Sequence, residues 1–129
     1  MARLPRLMGR GRALEVLLVA DDIPGELAEK YGYVNRSLPD GELDAFVEKI
    51  ATRIASFDKR AISETKRFVD VASLPPDYEI APEWDVCLAS IMRPAAQQRI
   101  NKLIERGFHR PGDVEERLGY YVGQVGDEA

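Results

Sequence analysis

The sequence is poor in the residues that most often carry chemistry: it has one cysteine, Cys87, and one histidine, His109. A single cysteine excludes an internal disulfide, and a reducing cytoplasm is the expected compartment. A zinc centre needs about four ligands, and the two candidates stand 22 residues apart, so no metal site is expected. Cys87 lies on an apolar helical face with no charge beside it to lower its pKa, which makes it a small core residue rather than a nucleophile. His109 follows Gly107-Phe108, near a helix end where the backbone dipole favours a cation. Long hydrophobic runs are also missing. The longest, "ALEVLLVA", carries Glu15 and falls well short of the ~20 residues a membrane span requires, so no membrane partner is expected. No repeat at a solenoid period appears.

The opening of the chain lacks acidic charge. The first twelve residues hold Arg3, Arg6, Arg10 and Arg12 and no acid, whereas the rest of the chain has 14 basic and 22 acidic residues, a balance of −8. Such a body repels a polyanion, so a basic arm for nucleic acid is not expected. Gly9 and Gly11 start a G-x-G-x-x-G pattern, but Leu14 occupies the third glycine position and no strand precedes it, so the dinucleotide reading fails. The carboxylate pairs Glu26/Glu29 and Glu115/Glu116 fall on polar helix surfaces, where nothing apolar raises a pKa for acid–base work. No catalytic residue emerges.

What is present is helical periodicity. A short apolar run, Leu14 to Val19, predicts a buried helix. "IPGELAEKYG" predicts another, stopped by Gly32 as a left-handed cap. Residues 33–38, "YVNRSL", are the one strand-like stretch before the Pro39-Asp40-Gly41 turn, with Asp40 a candidate helix cap. Leu43, Phe46, Val47, Ile50 and Ile54 then recur at helical spacing and predict a core face. Asp58 is a candidate cap for a helix with Ile62, Phe68 and Val69 inward. "LPPDYEIAP" reads as a proline-rich joint over 73–82. After it, Trp84, Cys87, Leu88 and Ile91 form one face, and Ile100, Leu103, Ile104 and Phe108 another, divided at Pro94. Asp113 and Glu116 have capping-box spacing for the last helix. The sum is an all-α chain with at most one short strand, organised as one helical domain over 1–129: a block over 1–72, the joint over 73–82, C-terminal helices over 83–123 and a frayed tail over 124–129.

The stretch from Leu4 to Pro39 resembles the crotonase family, the enoyl-CoA hydratases and isomerases. The resemblance rests on Leu4-Pro5-Arg6-Leu7, Gly9-Arg10-Gly11-Arg12-Ala13, Leu17-Leu18, Glu26, Ala28, Gly32, Val34-Asn35-Arg36 and Pro39, in order and at the family's spacing. Gly25, Tyr33 and Ala20-Asp21-Asp22 depart from it, the last standing where the family often has Thr-Gly. "ELDAFVEKIATRIAS", "AISETKRFVD" with Lys66, and "RPAAQQRINKLIERGF" continue the likeness more loosely. The resemblance implies the helical C-terminal subdomain of the crotonase fold. It also implies that the spiral core, the oxyanion-hole amides and the two acidic residues lie outside this sequence.

An acyl-CoA thioester is then the family's substrate, no cofactor belongs to the isolated chain, and the chain alone is expected to be inactive. The region is expected to pack into a homo-oligomer, dimer or trimer, and to cover part of the CoA, with Lys102 and Phe108 as the CoA contacts. A free-standing all-α interaction module without catalysis is the alternative.

Overall fold

Glycines and prolines set half of the helix ends among the described residues. The computed structural model describes residues 2–126. In it α1 (Arg3–Met8) and α2 (Arg10–Val19) meet at Gly9, whose φ of 81° suits a residue without a Cβ. α3 (Gly25–Tyr31) starts after Pro24 and stops at Gly32, φ 77°. There the Tyr33 amide donates to the Ala28 carbonyl at 2.9 Å and the Gly32 amide to Glu29 at 3.0 Å, the paired bonds of a Schellman cap. α4 (Asp40–Ala55) and α5 (Lys59–Ser73) follow. α6 (Asp77–Ile91) contains Pro82, and α7 (Pro94–Arg106) has proline at its first position. α8 (Asp113–Glu116) and α9 (Leu118–Gln124) complete an all-α order, with no strand among the described residues.

Residues 33–38 therefore form a loop, bent over 33–35, and not a strand. A lone extended segment has no ladder to join, and the Ser37 amide donates instead to the Glu29 carboxylate at 2.8 Å. Two cap expectations also fail. Pro39 occupies the N-cap of α4, and Asp40 is inside the first turn with no capping bond. Gly112 occupies the N-cap of α8, so Asp113 and Glu116 form no capping box, and the expected last helix breaks at Arg117 into α8 and α9. Asp58 does cap α5, its carboxylate accepting from the Ala61 amide at 2.9 Å. The proline-rich stretch over 73–82 is non-helical only at 74–76. Of the tail, Val125 is 1% exposed, while residues 127–129 lie outside the described part.

The buried residues among those described are Met8, Ala13, Ala28, Pro75, Leu103, Val114 and Val125, all but Pro75 from the α1–α3 and α7–α9 ends of the chain. α4, α5 and α6 bury none. This corrects the expected core faces: Leu18 is 76% exposed, Trp84 62% and Ile50 44%. The chain exposes 10349 Å², whereas a compact monomer of 14.5 kDa exposes roughly 6,900 Å². The periodicity marks faces that are apolar, but few side chains among the described residues are buried.

Polar contacts tie the N-terminal helices to later parts of the chain. Arg6 on α1 donates twice to Glu79 on α6, at 2.8 and 3.1 Å. Arg12 donates to the Lys30 carbonyl at 3.2 Å and lies 4.9 Å from the centre of the Tyr31 ring. Two of the opening arginines are thus engaged within the fold. The Gly119 amide of α9 donates to Asp22 in the α2–α3 loop at 3.1 Å.

Candidate functional site

The C-terminal end of α7 holds both residues expected to touch CoA. Gly107, at φ 117°, turns the chain out of the helix. The Phe108 amide donates to the Leu103 carbonyl at 2.9 Å and the Gly107 amide to Ile104 at 3.1 Å, a second Schellman cap. It sets Phe108 just beyond the helix end, half-buried, with Lys102 half-buried in the last turns of α7. His109 follows in the left-handed region at φ 68°, a conformation that histidine tolerates better than most side chains. Its ring stacks on Phe108 at 4.0 Å between centroids, and its amide donates to Glu115.

Beside this turn is a hollow of about 320 Å³, lined by Arg106, Arg110, Asp113 and Tyr121 among others and not by Lys102 or Phe108. Sequence reading passed over these residues, although "ERGFHR" places two guanidinium groups around one glycine turn. Tyr121 donates its hydroxyl to Asp113 at 2.5 Å, and Arg117 pairs with the same carboxylate at 3.6 Å. The bond to Asp113, followed by desolvation, holds the Tyr121 phenol above the ordinary tyrosine range. Tyr31 has a similar arrangement: it donates to both carboxylate oxygens of Glu15 at 3.0 Å, which raises its phenol as well.

A larger groove, about 690 Å³, lies between the 35–38 loop and α4, floored by Leu43, Phe46, Val47, Ile50 and Ile54. Cys87 is half-buried near Trp84 in a shallow cleft of α6. No group of three or more His, Cys, Asp or Glu side chains among the described residues could hold a metal ion. No described helix is long and apolar enough to cross a membrane.

No family model matches the chain. Known proteins do. "Probable enoyl-CoA hydratase EchA12" of Mycobacterium tuberculosis is 41% identical over 75 residues, which is 55% of this chain and 26% of that protein. "Crotonyl-CoA hydratase" of Syntrophomonas wolfei is 42% identical over 64 residues, 50% of this chain and 25% of that one. The crystal structure of a Streptomyces avermitilis protein assigned as an enoyl-CoA hydratase superposes with a TM-score of 0.89 at 40% identity, covering 93% of this chain and 43% of that one. These likenesses support a fragment of the enoyl-CoA hydratase, or crotonase, family. The matched stretch spans about a quarter of the length of the curated enoyl-CoA hydratases. The nine helices described here agree with an all-α C-terminal crotonase subdomain, as the resemblance implied.

Proposed function

We propose that this chain is the helical, subunit-packing and CoA-covering region of an enoyl-CoA hydratase/isomerase-type protein that acts on acyl-CoA thioesters in the cytoplasm. The observation that carries this reading is the superposition at TM-score 0.89 and 40% identity across 93% of the chain. A likeness that covers almost every helix makes the whole subdomain, rather than one motif, the basis for the comparison.

In this reading Lys102 presents an ammonium to a CoA phosphate as a point charge, and the ring of Phe108 stacks on the adenine. The glycine turn at Gly107 is what sets the ring beyond the helix end. The chain self-associates as a dimer or trimer. The acyl-CoA is substrate, and neither a resident cofactor nor a metal is proposed. Polarising a thioester carbonyl needs preorganised donors, and losing one such donor typically lowers rates by about 10²–10³. No residue of this chain is assigned that role, so the chain by itself is proposed not to hydrate crotonyl-CoA.

Calorimetric titration with CoA tests the binding, run on the wild-type chain, Lys102→Ala and Phe108→Leu. Each variant is expected to weaken CoA binding by at least threefold, and crotonyl-CoA hydration is expected to stay at background. CoA affinity unchanged in both variants refutes the contact assignment. Turnover by the 129-residue chain that survives removal of contaminating enzyme refutes the inactivity.

A further inference from the structure

One backbone position just past α7 asks for glycine and has a histidine. The Arg110 amide donates to the Gly107 carbonyl at 3.0 Å and closes a turn over Gly107-Phe108-His109-Arg110. His109 is its third residue, with φ at 68°. That place in a type II turn needs a positive φ and takes glycine or asparagine, because a larger side chain crowds the backbone there. Among the described residues, only Ala20 and His109 have a positive φ without being glycine. Such an outlier persists where its surroundings over-determine it, and it is a pointer to function.

α8 supplies those surroundings. The Glu115 carboxylate accepts the His109 amide. Val114, 7% exposed, lies under the turn, where a Cβ on Gly107 would stand 3.7 Å from it. Thus seated, the imidazole lies against the Phe108 ring, 4.0 Å between centroids and tilted by 35°. His109 is exposed and Phe108 half-buried, so the exposed ring backs the half-buried one.

We infer that His109 is a positioning residue for Phe108. Its imidazole, fixed by the left-handed turn and by Glu115, holds the phenyl ring in one orientation to receive the flat adenine of CoA. The inference rests on the proposed contact between Phe108 and CoA, and adds to it the groups that orient the ring. A side chain just past a helix end is otherwise free to change rotamer, and ordering it on binding lowers affinity. A ring already held by a neighbouring ring avoids that loss. Glycine at 109 would relax the backbone and leave Phe108 without its neighbour.

Two substitutions separate the ring from the backbone. His109→Asn keeps a residue that accepts the left-handed turn and removes the ring. His109→Tyr keeps a ring on a residue less suited to that φ. Thermal melting by circular dichroism reads the fold, proton NMR of the free chain reads the Phe108 ring, and calorimetric titration with CoA reads binding. His109→Asn is expected to melt no lower than wild type and to lose the ring-current shift of the Phe108 protons. It should bind CoA about two- to tenfold more weakly. His109→Tyr is expected to melt lower, yet to keep a ring-current shift at Phe108 and a CoA affinity within about twofold of wild type. Stability and affinity then change in opposite orders, which a merely structural role for His109 does not produce. Affinity that follows melting temperature, or a Phe108 signal unchanged in His109→Asn, overturns the inference. If the wild-type chain binds no CoA, or Phe108→Leu binds as tightly as wild type, the proposed contact falls. The ring signal then decides the role of His109 by itself. Loss in His109→Asn with retention in His109→Tyr supports positioning, and any other pattern overturns it.

Discussion

Gly119 and Asp22, 97 residues apart, are joined by a hydrogen bond of 3.1 Å from the glycine amide to the aspartate carboxylate. The contact is close because residue 119 has no side chain: a Cβ there would press on the backbone of Asp21 and Asp22. One glycine and one carboxylate thus hold α9 against the turn that follows α2.

Gly119→Ala is expected to destabilise the fold by about 1–3 kcal/mol, because backbone has to shift to admit the methyl group. Asp22→Ala removes only the bond and should cost about 0.5–1.5 kcal/mol. Urea unfolding measures both. Limited proteolysis should show faster cleavage near α9 in the glycine variant, and equal stability of the two would mean that the close approach does not matter.

Ala20 closes α2 in the left-handed region at φ 53° and ψ 32°. It stands in the segment where the family often has Thr-Gly. An alanine there carries a steric penalty that glycine avoids, partly offset by the greater freedom of glycine in the unfolded chain. Ala20→Gly should therefore raise stability by about 0.5–1 kcal/mol, and Ala20→Val should lower it. A shift of melting temperature in the opposite order would contradict the cap geometry.

Leu103 is 7% exposed and Ile50 is 44% exposed. Leu103→Ala should lose about 2–5 kcal/mol through transfer and cavity terms. Ile50→Ala, measured at concentrations too low for association, should lose less than about 1 kcal/mol, since nearly half of that residue's surface is already in contact with water. Periodicity by itself assigns Ile50 to the core, so this pair distinguishes an apolar face from a buried one.

The phenols of Tyr121 and Tyr31 are raised chiefly by hydrogen bonds to Asp113 and Glu15. A group whose folded pKa lies above its unfolded one contributes stability that is present below the unfolded pKa, about 10 for tyrosine, and lost as pH rises through the folded value. Ultraviolet titration should show the Tyr31 and Tyr121 phenols ionising above the ordinary tyrosine value. Asp113→Asn should return one of them toward the ordinary range, and stability should decline above about pH 10. Identical titration of the wild-type and Asp113→Asn chains would show that this bond is not formed in solution.

Much of the helical layout was readable before any coordinates. Gly32, Asp58 and Pro94 act locally, through a left-handed φ, a side-chain acceptor and a missing amide hydrogen, so each marks its helix end from sequence alone. Asp40, Asp113 and Glu116 have the same credentials but do not cap, because Pro39 and Gly112 take the cap positions one residue earlier. Lys102 and Phe108 could be placed at the end of α7 by the Gly107 stop. The hollow of Arg106, Arg110 and Tyr121 could not be, because it needs α9 folded back beside α7.

What the sequence by itself determined is therefore the helical class, the amphipathic stripe of each long helix and the family resemblance, all of which depend on spacing along one chain. Tertiary structure alone decided which stripes are buried. In the folded chain Arg6 meets Glu79 and Gly119 meets Asp22, contacts 73 and 97 residues apart in sequence, while Leu103, Val114 and Val125 are buried. The same fold leaves Leu43 to Ile54 in water. Apolar spacing encodes the direction in which a helix is greasy, whereas burial depends on a second surface, and for α4 none of the described residues provides one.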